Sequence, residues 1–187
     1  MNVLTVSVRD FQASDIQKQL DYWYRSPAGY LESIGVDPAR LPSESEMAAN
    51  LAKVCGKSEI PAVTILVNQC AIGVHLVAPV VRGESAVFHA HIWDASWRGK
   101  GVATRSYPLA CEIFFKRFQL KRIDFKTPLQ NIGAIRVKEK LGILVVGEEE
   151  LATPIGRSGL RARCFEWTLS EFENFQRVNR QKPENQN

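Results

Sequence analysis

Apolar and polar positions alternate along this chain with a period that switches several times, and the switches outline the elements. Leu4, Val6 and Val8 alternate with Val3, Thr5 and Ser7, which predicts a strand over Val3–Val8. Ser14 with Gln17 has the form of a capping box, opening a helix whose apolar face runs Ile16, Leu20, Trp23. Ser26–Pro42, holding three prolines and two glycines, is a turn-rich connector. A second box, Ser43 with Glu46, starts a helix marked by Met47, Leu51 and Val54 and closed by Gly56.

The middle of the chain changes character. Ala62–Val67 and Ala71–Val81 are apolar and β-branched, Arg82-Gly83-Glu84 has the composition of a tight turn, and Ser85–Trp93 returns as a third strand. A glycine-containing loop, Arg98–Gly101, leads into a long helical pattern over Val102–Leu120, with Pro108 as an oddity inside it. Arg122–Lys126 is a short strand, and Asn131–Leu141 a helix with Asn131 as N-cap and Gly142 as stop. Ile143–Gly147 and Arg161–Leu169 are strands, and Ser170 with Glu173 caps a last helix carrying Phe172 and Phe175. Hairpins followed by β-α-β units predict an α/β (α+β) fold, one mixed sheet with helices packed on it. Residues 1–180 read as one domain and Gln181–Asn187 as a polar C-terminal tail.

Composition narrows the class. A chain of 187 residues, 45% hydrophobic and 24% charged, matches one globular domain and excludes disordered and fibrous classes. No window reaches about 18 uninterrupted apolar residues, and Met1–Asp10 lacks a basic n-region. The expectation is a cytoplasmic protein with no membrane segment. Cys55, Cys70, Cys111 and Cys164 are irregularly spaced without CxxC, which favours reduced thiols over a zinc site. The net charge of +4 makes nucleic acid an unlikely partner, but Arg98–Lys140 holds eleven basic residues against three acids. Such a half suits an anionic partner such as a phosphorylated cofactor, and equally a solvated basic face.

The segment from Trp93 to Thr104 carries the chemistry. It joins a strand to a helix through Arg98-Gly99-Lys100-Gly101. Glycines let the backbone approach a ligand closely, and the helix start leaves N–H groups free at its positive end. Together these make an anion site suited to a pyrophosphate, with Arg98 and Lys100 adding formal charge. A Walker A loop is absent, and GxGxxG fails at Thr104. Structural glycines in a strand-to-helix turn are the plainer reading.

Arg98-x-x-Gly101-x-Ala103 resembles the R/Q-x-x-G-x-G/A signature of the GCN5-related N-acetyltransferase (GNAT) superfamily. Asn131-x-x-Ala134-x-x-Val137-x-Glu139-Lys140-Leu141-Gly142 resembles the family's second motif at the family's distance. The match spans roughly Ala71–Gly147. The resemblance implies the GNAT fold: a mostly antiparallel mixed sheet of about seven strands flanked by helices, with strands 4 and 5 splayed into a V. It implies acetyl-CoA as the acyl donor, without a metal, and an amine acceptor. The pantetheine arm would pair with backbone near His91, Ile92 and Trp93. The N–H groups of Gly99, Lys100, Gly101, Val102, Ala103 and Thr104 would hold the pyrophosphate beside Arg98. Asn131 would bond the pantetheine, cap its helix, or both. Many members place a leaving-group tyrosine where this chain has Lys138, which could serve as acid with a pKa lowered by burial, or be an exposed helix lysine. Homodimers are common in the family.

Attack of a neutral amine on a thioester needs a proton acceptor, and histidine suits neutral pH. The chain has three histidines, His75, His89 and His91. His89 and His91 share a strand face. A three-residue turn at Arg82–Glu84 would set His75 opposite His91, and a two-residue turn would put it on the other face. His91 ranks first as base and His89 second, against the reading that both merely pack. Trp93 and Trp97 read as packing residues. Tyr22, Trp23, Tyr24 and Tyr30 would line the acceptor wall. The other functional readings are a non-catalytic acyl-CoA-binding module and a toxin-like enzyme acting on aminoacyl-tRNA.

Overall fold

The computed structural model describes residues 4–57, 59–151 and 153–181. Seven strands make one sheet: β1 (Val6–Asp10), β2 (Ala62–Val67), β3 (Cys70–Val81), β4 (Ser85–Ile92), β5 (Arg122–Pro128), β6 (Leu144–Glu150) and β7 (Arg161–Thr168). Their spatial order is β1-β2-β3-β4-β5-β7-β6, and only β4 and β5 run parallel. The helices are α1 (Ile16–Tyr24), α2 (Tyr30–Ser33), α3 (Glu44–Cys55), α4 (Val102–Phe118), α5 (Ile132–Lys140) and α6 (Leu169–Arg180). The mixed sheet expected from the hydrophobic periods is therefore present.

The two faces of the sheet carry different layers. On one, Val63, Val77, Phe88, Ile123, Phe125 and Trp167 pack with the buried stripe of α4 (Tyr107, Ala110, Phe114, Phe118), with Ile135 of α5 and with Phe172 of α6. On the other, Ala62 and Val74 pack with Phe11, α1 and α3. α4 runs through Pro108 without interruption.

Several boundaries differ from the sequence expectation. The first strand is Val6–Asp10, because Arg9 and Asp10 continue the ladder opposite Thr64 and Val63; Val3 lies outside the described residues. Ser14 does not cap α1. Asp15 organises that end instead, buried, accepting the Gln12 N–H at 3.0 Å, the Thr64 hydroxyl at 2.7 Å and two bonds from Arg9. The last helix is capped by Thr168 with Glu171, two residues before the expected pair, since Thr168 is still extended while Ser170 is already helical. Ser43 and Glu46 form the expected box. Residues 182–187 of the tail lie outside the described residues.

Candidate active site

β4 and β5 pair over three positions only: Ser85 with Arg122, Ala86 with Ile123 and Val87 with Asp124. Beyond them β4 runs on to Ile92 paired with β3, and β5 to Pro128 paired with β7, but not with each other. The sheet thus parts into a V between two strands that are each anchored on their far edge. Gly73 lets β3 follow β4 to its end, since a Cβ there would come within 2.5 Å of the His91 carbonyl oxygen.

The loop after β4 is shaped by its own side chains. Asp94 accepts the Ser96 N–H at 2.8 Å and sets a 3-10 turn over Ala95–Trp97. Gly99 and Gly101 follow at φ +74° and +75°, in the left-handed region that favours glycine. Gly101 is the N-cap of α4 and brings no side chain to it. The first bond of the helix runs from the Arg105 N–H to the Gly101 carbonyl, so the amides of Val102, Ala103 and Thr104 lie at the positive end without a side-chain cap. Lys100 lies 5.0 Å over the Trp97 ring, beside these amides. Asn131 caps α5, accepting the Ala134 N–H at 3.2 Å.

Arg98 takes a different course from the anion site. Its guanidinium turns back to the V, donates to the Ile92 carbonyl at 3.0 Å and stacks 3.9 Å over the Tyr30 ring; its Nε is buried without a partner. Trp93 packs against α1 and donates from Nε1 to Gln19 at 2.6 Å. Trp97 packs near Val102.

The histidines divide between the faces. The turn at Arg82–Glu84 does have three residues, with Val81 opposite Ser85. A bulge at Ala78–Pro79 then shifts the register by one, so His75 pairs with Ala90 and not with His91. His75 lies under α4, fully buried, bonded to Ser106 at 2.7 Å, and burial drops its pKa to about 3. His91 and His89 face the α1 side. The Nδ1 of His91 lies 3.1 Å from the Tyr22 hydroxyl, which lies 3.4 Å from that of Tyr30, and Trp23 meets the imidazole edge-on. Burial lowers His91 to about 3, helped by His89, so it is neutral near pH 7. His89 donates from Nε2 to the bulge carbonyl of Ala78 at 2.7 Å.

Lys138 is not an exposed helix lysine. It is 4% exposed, on the α5 stripe Ile135, Lys138, Leu141 that faces the sheet. Its Nζ donates to the Tyr107 hydroxyl and the Ala134 carbonyl, each at 3.3 Å, and burial lowers its pKa to about 7. Sequence reasoning missed Tyr107, although it lies on the same α4 stripe as Ala110, Cys111 and Phe114.

The seven-stranded mixed sheet with its single parallel β4–β5 pair is that of the GNAT acyltransferase fold. Residues 6–143 match the family model described as "Acetyltransferase (GNAT) domain". The chain belongs to the GNAT acetyltransferase family, whose members are acyltransferases. Among solved structures, RimJ from Mycobacterium smegmatis, in complex with CoA-disulfide, is similar at TM-score 0.73 and 15% identity, covering 94% of this chain and 90% of that one. An aminoglycoside acetyltransferase, AAC(6')-Ib, in complex with coenzyme A, is similar at TM-score 0.70 and 20% identity, covering 92% and 99%. A ribosomal-protein-S5-alanine acetyltransferase from Vibrio fischeri follows at 0.70 and 17%, covering 91% and 99%. A search of curated sequences finds no match. Among the described residues, no helix is long and apolar enough to cross a membrane.

Proposed function

We propose that this protein is an acetyl-CoA-dependent N-acetyltransferase. It would move an acetyl group to a primary amine of a small molecule, peptide or protein by direct attack in a ternary complex. The observation that carries this reading is the uncapped start of α4 behind Gly99 and Gly101, at the mouth of the β4–β5 V. Acetyl-CoA, as donor substrate, supplies an acyl carbon activated as a thioester. The amides of Gly99 to Thr104 and the charge of Lys100 would hold its pyrophosphate. The free β4 edge near Ile92 and Trp93, with Asn131 across the V, would align the pantetheine arm. Arg98 must release the Ile92 carbonyl for an amide of that arm to use it, and its bond to that carbonyl is exchanged rather than lost.

Tyr22, Trp23, Tyr30 and His91 form the wall from which the amine would approach. His91 takes the proton shed by the attacking amine, with His89 behind it on the same face. Because His91 stays neutral well below pH 7, it imposes no acid limb near pH 6.5. Loss of activity on acidification then follows the ammonium of the acceptor. The first test is calorimetric titration with acetyl-CoA, with adenosine as control. Micromolar binding that weakens at least tenfold in Gly101→Val supports the reading; no binding sinks it. A thiol-release screen of aminoglycosides and peptides with free N-termini then finds the acceptor. With that acceptor, His91→Gln is expected to lower kcat on the order of 100-fold while acetyl-CoA binding is unchanged.

A further inference from the structure

Arg98 carries more donors than the fold gives it acceptors. Among the described residues its one hydrogen-bond partner is the Ile92 carbonyl, reached from Nη2. Its Nε is buried and has no partner. Asp94, on the same loop, is exposed and spends its carboxylate on the Ser96 N–H. A half-buried guanidinium with unspent donors and no carboxylate is a cost to the fold unless an anion meets it.

Its surroundings say where that anion would stand. The Trp93 N–H donates to Ile72 of β3 at 2.8 Å, and the His91 carbonyl oxygen lies against Gly73 of β3. Successive residues of a strand turn their peptide groups to opposite sides, so the Ile92 carbonyl points away from β3 and into the V. Arg98 is bonded to that carbonyl, and its stacking on Tyr30 joins it to the aromatic wall. The Tyr30 hydroxyl contacts that of Tyr22, which contacts His91. Burial raises the Tyr22 phenol and lowers the His91 imidazole, so both are neutral near pH 7. The formal charge on this wall is therefore that of Arg98.

Resting on the acetyltransferase reading above, we propose that Arg98 determines acceptor specificity by reading a carboxylate, and that the acceptor is a small amino acid. When the pantetheine arm takes over the Ile92 carbonyl, the guanidinium is left over Tyr30 with its fork of N–H donors free. That planar fork matches the two oxygens of a carboxylate. A purely cationic acceptor would meet like charge at the same place. The amine of the acceptor then lies toward His91 and its carboxylate toward Arg98.

The test needs no turnover. Glycine, β-alanine and γ-aminobutyrate are each joined through the amine to a CoA-S-acetyl group, which sets a carboxylate at increasing distance from the reacting carbon. Each conjugate has a partner in which the carboxylate is a primary amide. Binding of these conjugates and of acetyl-CoA is measured by calorimetry in the wild type, Arg98→Met and Arg98→Lys. At least one acid conjugate is expected to bind the wild type about tenfold more tightly than its amide. In Arg98→Met the two fall within about twofold of each other. The amide conjugates keep or gain affinity there, because the Ile92 carbonyl is no longer taken. Arg98→Lys retains part of the preference, having the charge without the fork. Equal binding of acid and amide throughout the series, with acetyl-CoA bound, overturns this assignment and leaves the acetyltransferase reading standing. A preference that survives in Arg98→Met overturns it as well. So does an equal loss of acid and amide conjugates in that variant, which would make Arg98 a ligand of the donor. Failure of acetyl-CoA and every conjugate to bind the wild type overturns both readings.

Discussion

At the scale of single residues, His75 and Lys138 are both buried bases held partly or wholly neutral by the fold, and stability must depend on pH accordingly. His75 has a folded pKa of about 3 against 6.5 unfolded. Below 6.5 the unfolded chain binds the extra proton, so the contribution is intact above 6.5 and is lost as pH falls toward 3. By pH 5 the loss is about 2 kcal/mol. Urea midpoints at pH 8 and 5 should show it, and His75→Asn should shrink the difference without abolishing it, because His91 is held near 3 as well, while lowering stability at pH 8. Lys138 works over a higher window. Its folded pKa near 7 lies below the 10.5 of the unfolded chain, so wild-type stability rises with pH between those values. Lys138→Met should accordingly stabilise by about 2 kcal/mol at pH 7, and by less at pH 10. A variant less stable than the wild type at pH 7 would mean that the amine's two long bonds matter more than its desolvation.

At the scale of elements, the site depends on a loop and two helix starts. Gly101 has open space where a Cβ would go, so substitution there acts through φ rather than collision. A β-branched side chain is strongly disfavoured at +75°, and turning Gly101 re-aims the amides of Val102 to Thr104. Gly101→Val is expected to cost about 1–2 kcal/mol of stability, measurable by thermal melting, besides its loss of acetyl-CoA binding. Ser43→Ala, at a cap far from the V, should cost about 1 kcal/mol and leave acetyl-CoA binding unchanged. Much of this scale could be read in the chain. Ala62–Val67, the Ser43 box and the Asn131 cap follow from local rules of alternation and capping. The register of β3 on β4 could not, because the sequence left the turn open between two and three residues, and the bulge at Ala78–Pro79 is a second, independent event. Nor could the fold-back of Arg98, which depends on Tyr30 arriving from the N-terminal region. The burial of Lys138 was signalled by its spacing from Ile135 and Leu141, a core stripe that a charged residue obscures.

At the scale of the whole molecule, the question is where the basic half of the chain spends its charge. In the folded protein Lys116, Arg117, Lys121, Arg122 and Lys126 all sit in ion pairs, with Glu112, Asp10, Glu84, Asp124 and Glu149 respectively. Three of those acids come from outside Arg98–Lys140, so part of the excess seen along the sequence is neutralised in space. Lys138 is buried, and Arg98 is turned onto a carbonyl and a ring. What stays near the glycine loop is Lys100 and Arg105, the latter donating to the Leu4 carbonyl, together with the amides of α4, while Arg136 and Lys140 lie exposed on α5. That is enough for one pyrophosphate and too little for a polynucleotide, whose binding rests on many simultaneous phosphate contacts. Acetyl-CoA binding should therefore weaken only slightly with added salt. Unacylated tRNA at about 150 mM salt should bind no more tightly than the non-specific range of roughly 10⁻⁴–10⁻⁶ M. Filter binding across a salt series checks both. Nanomolar tRNA binding with a steep salt slope would mean that the ion pairs open onto RNA, and would restore an aminoacyl-tRNA acceptor; flat, weak binding confines the acceptor to amines that fit beside Tyr22, Tyr30 and His91.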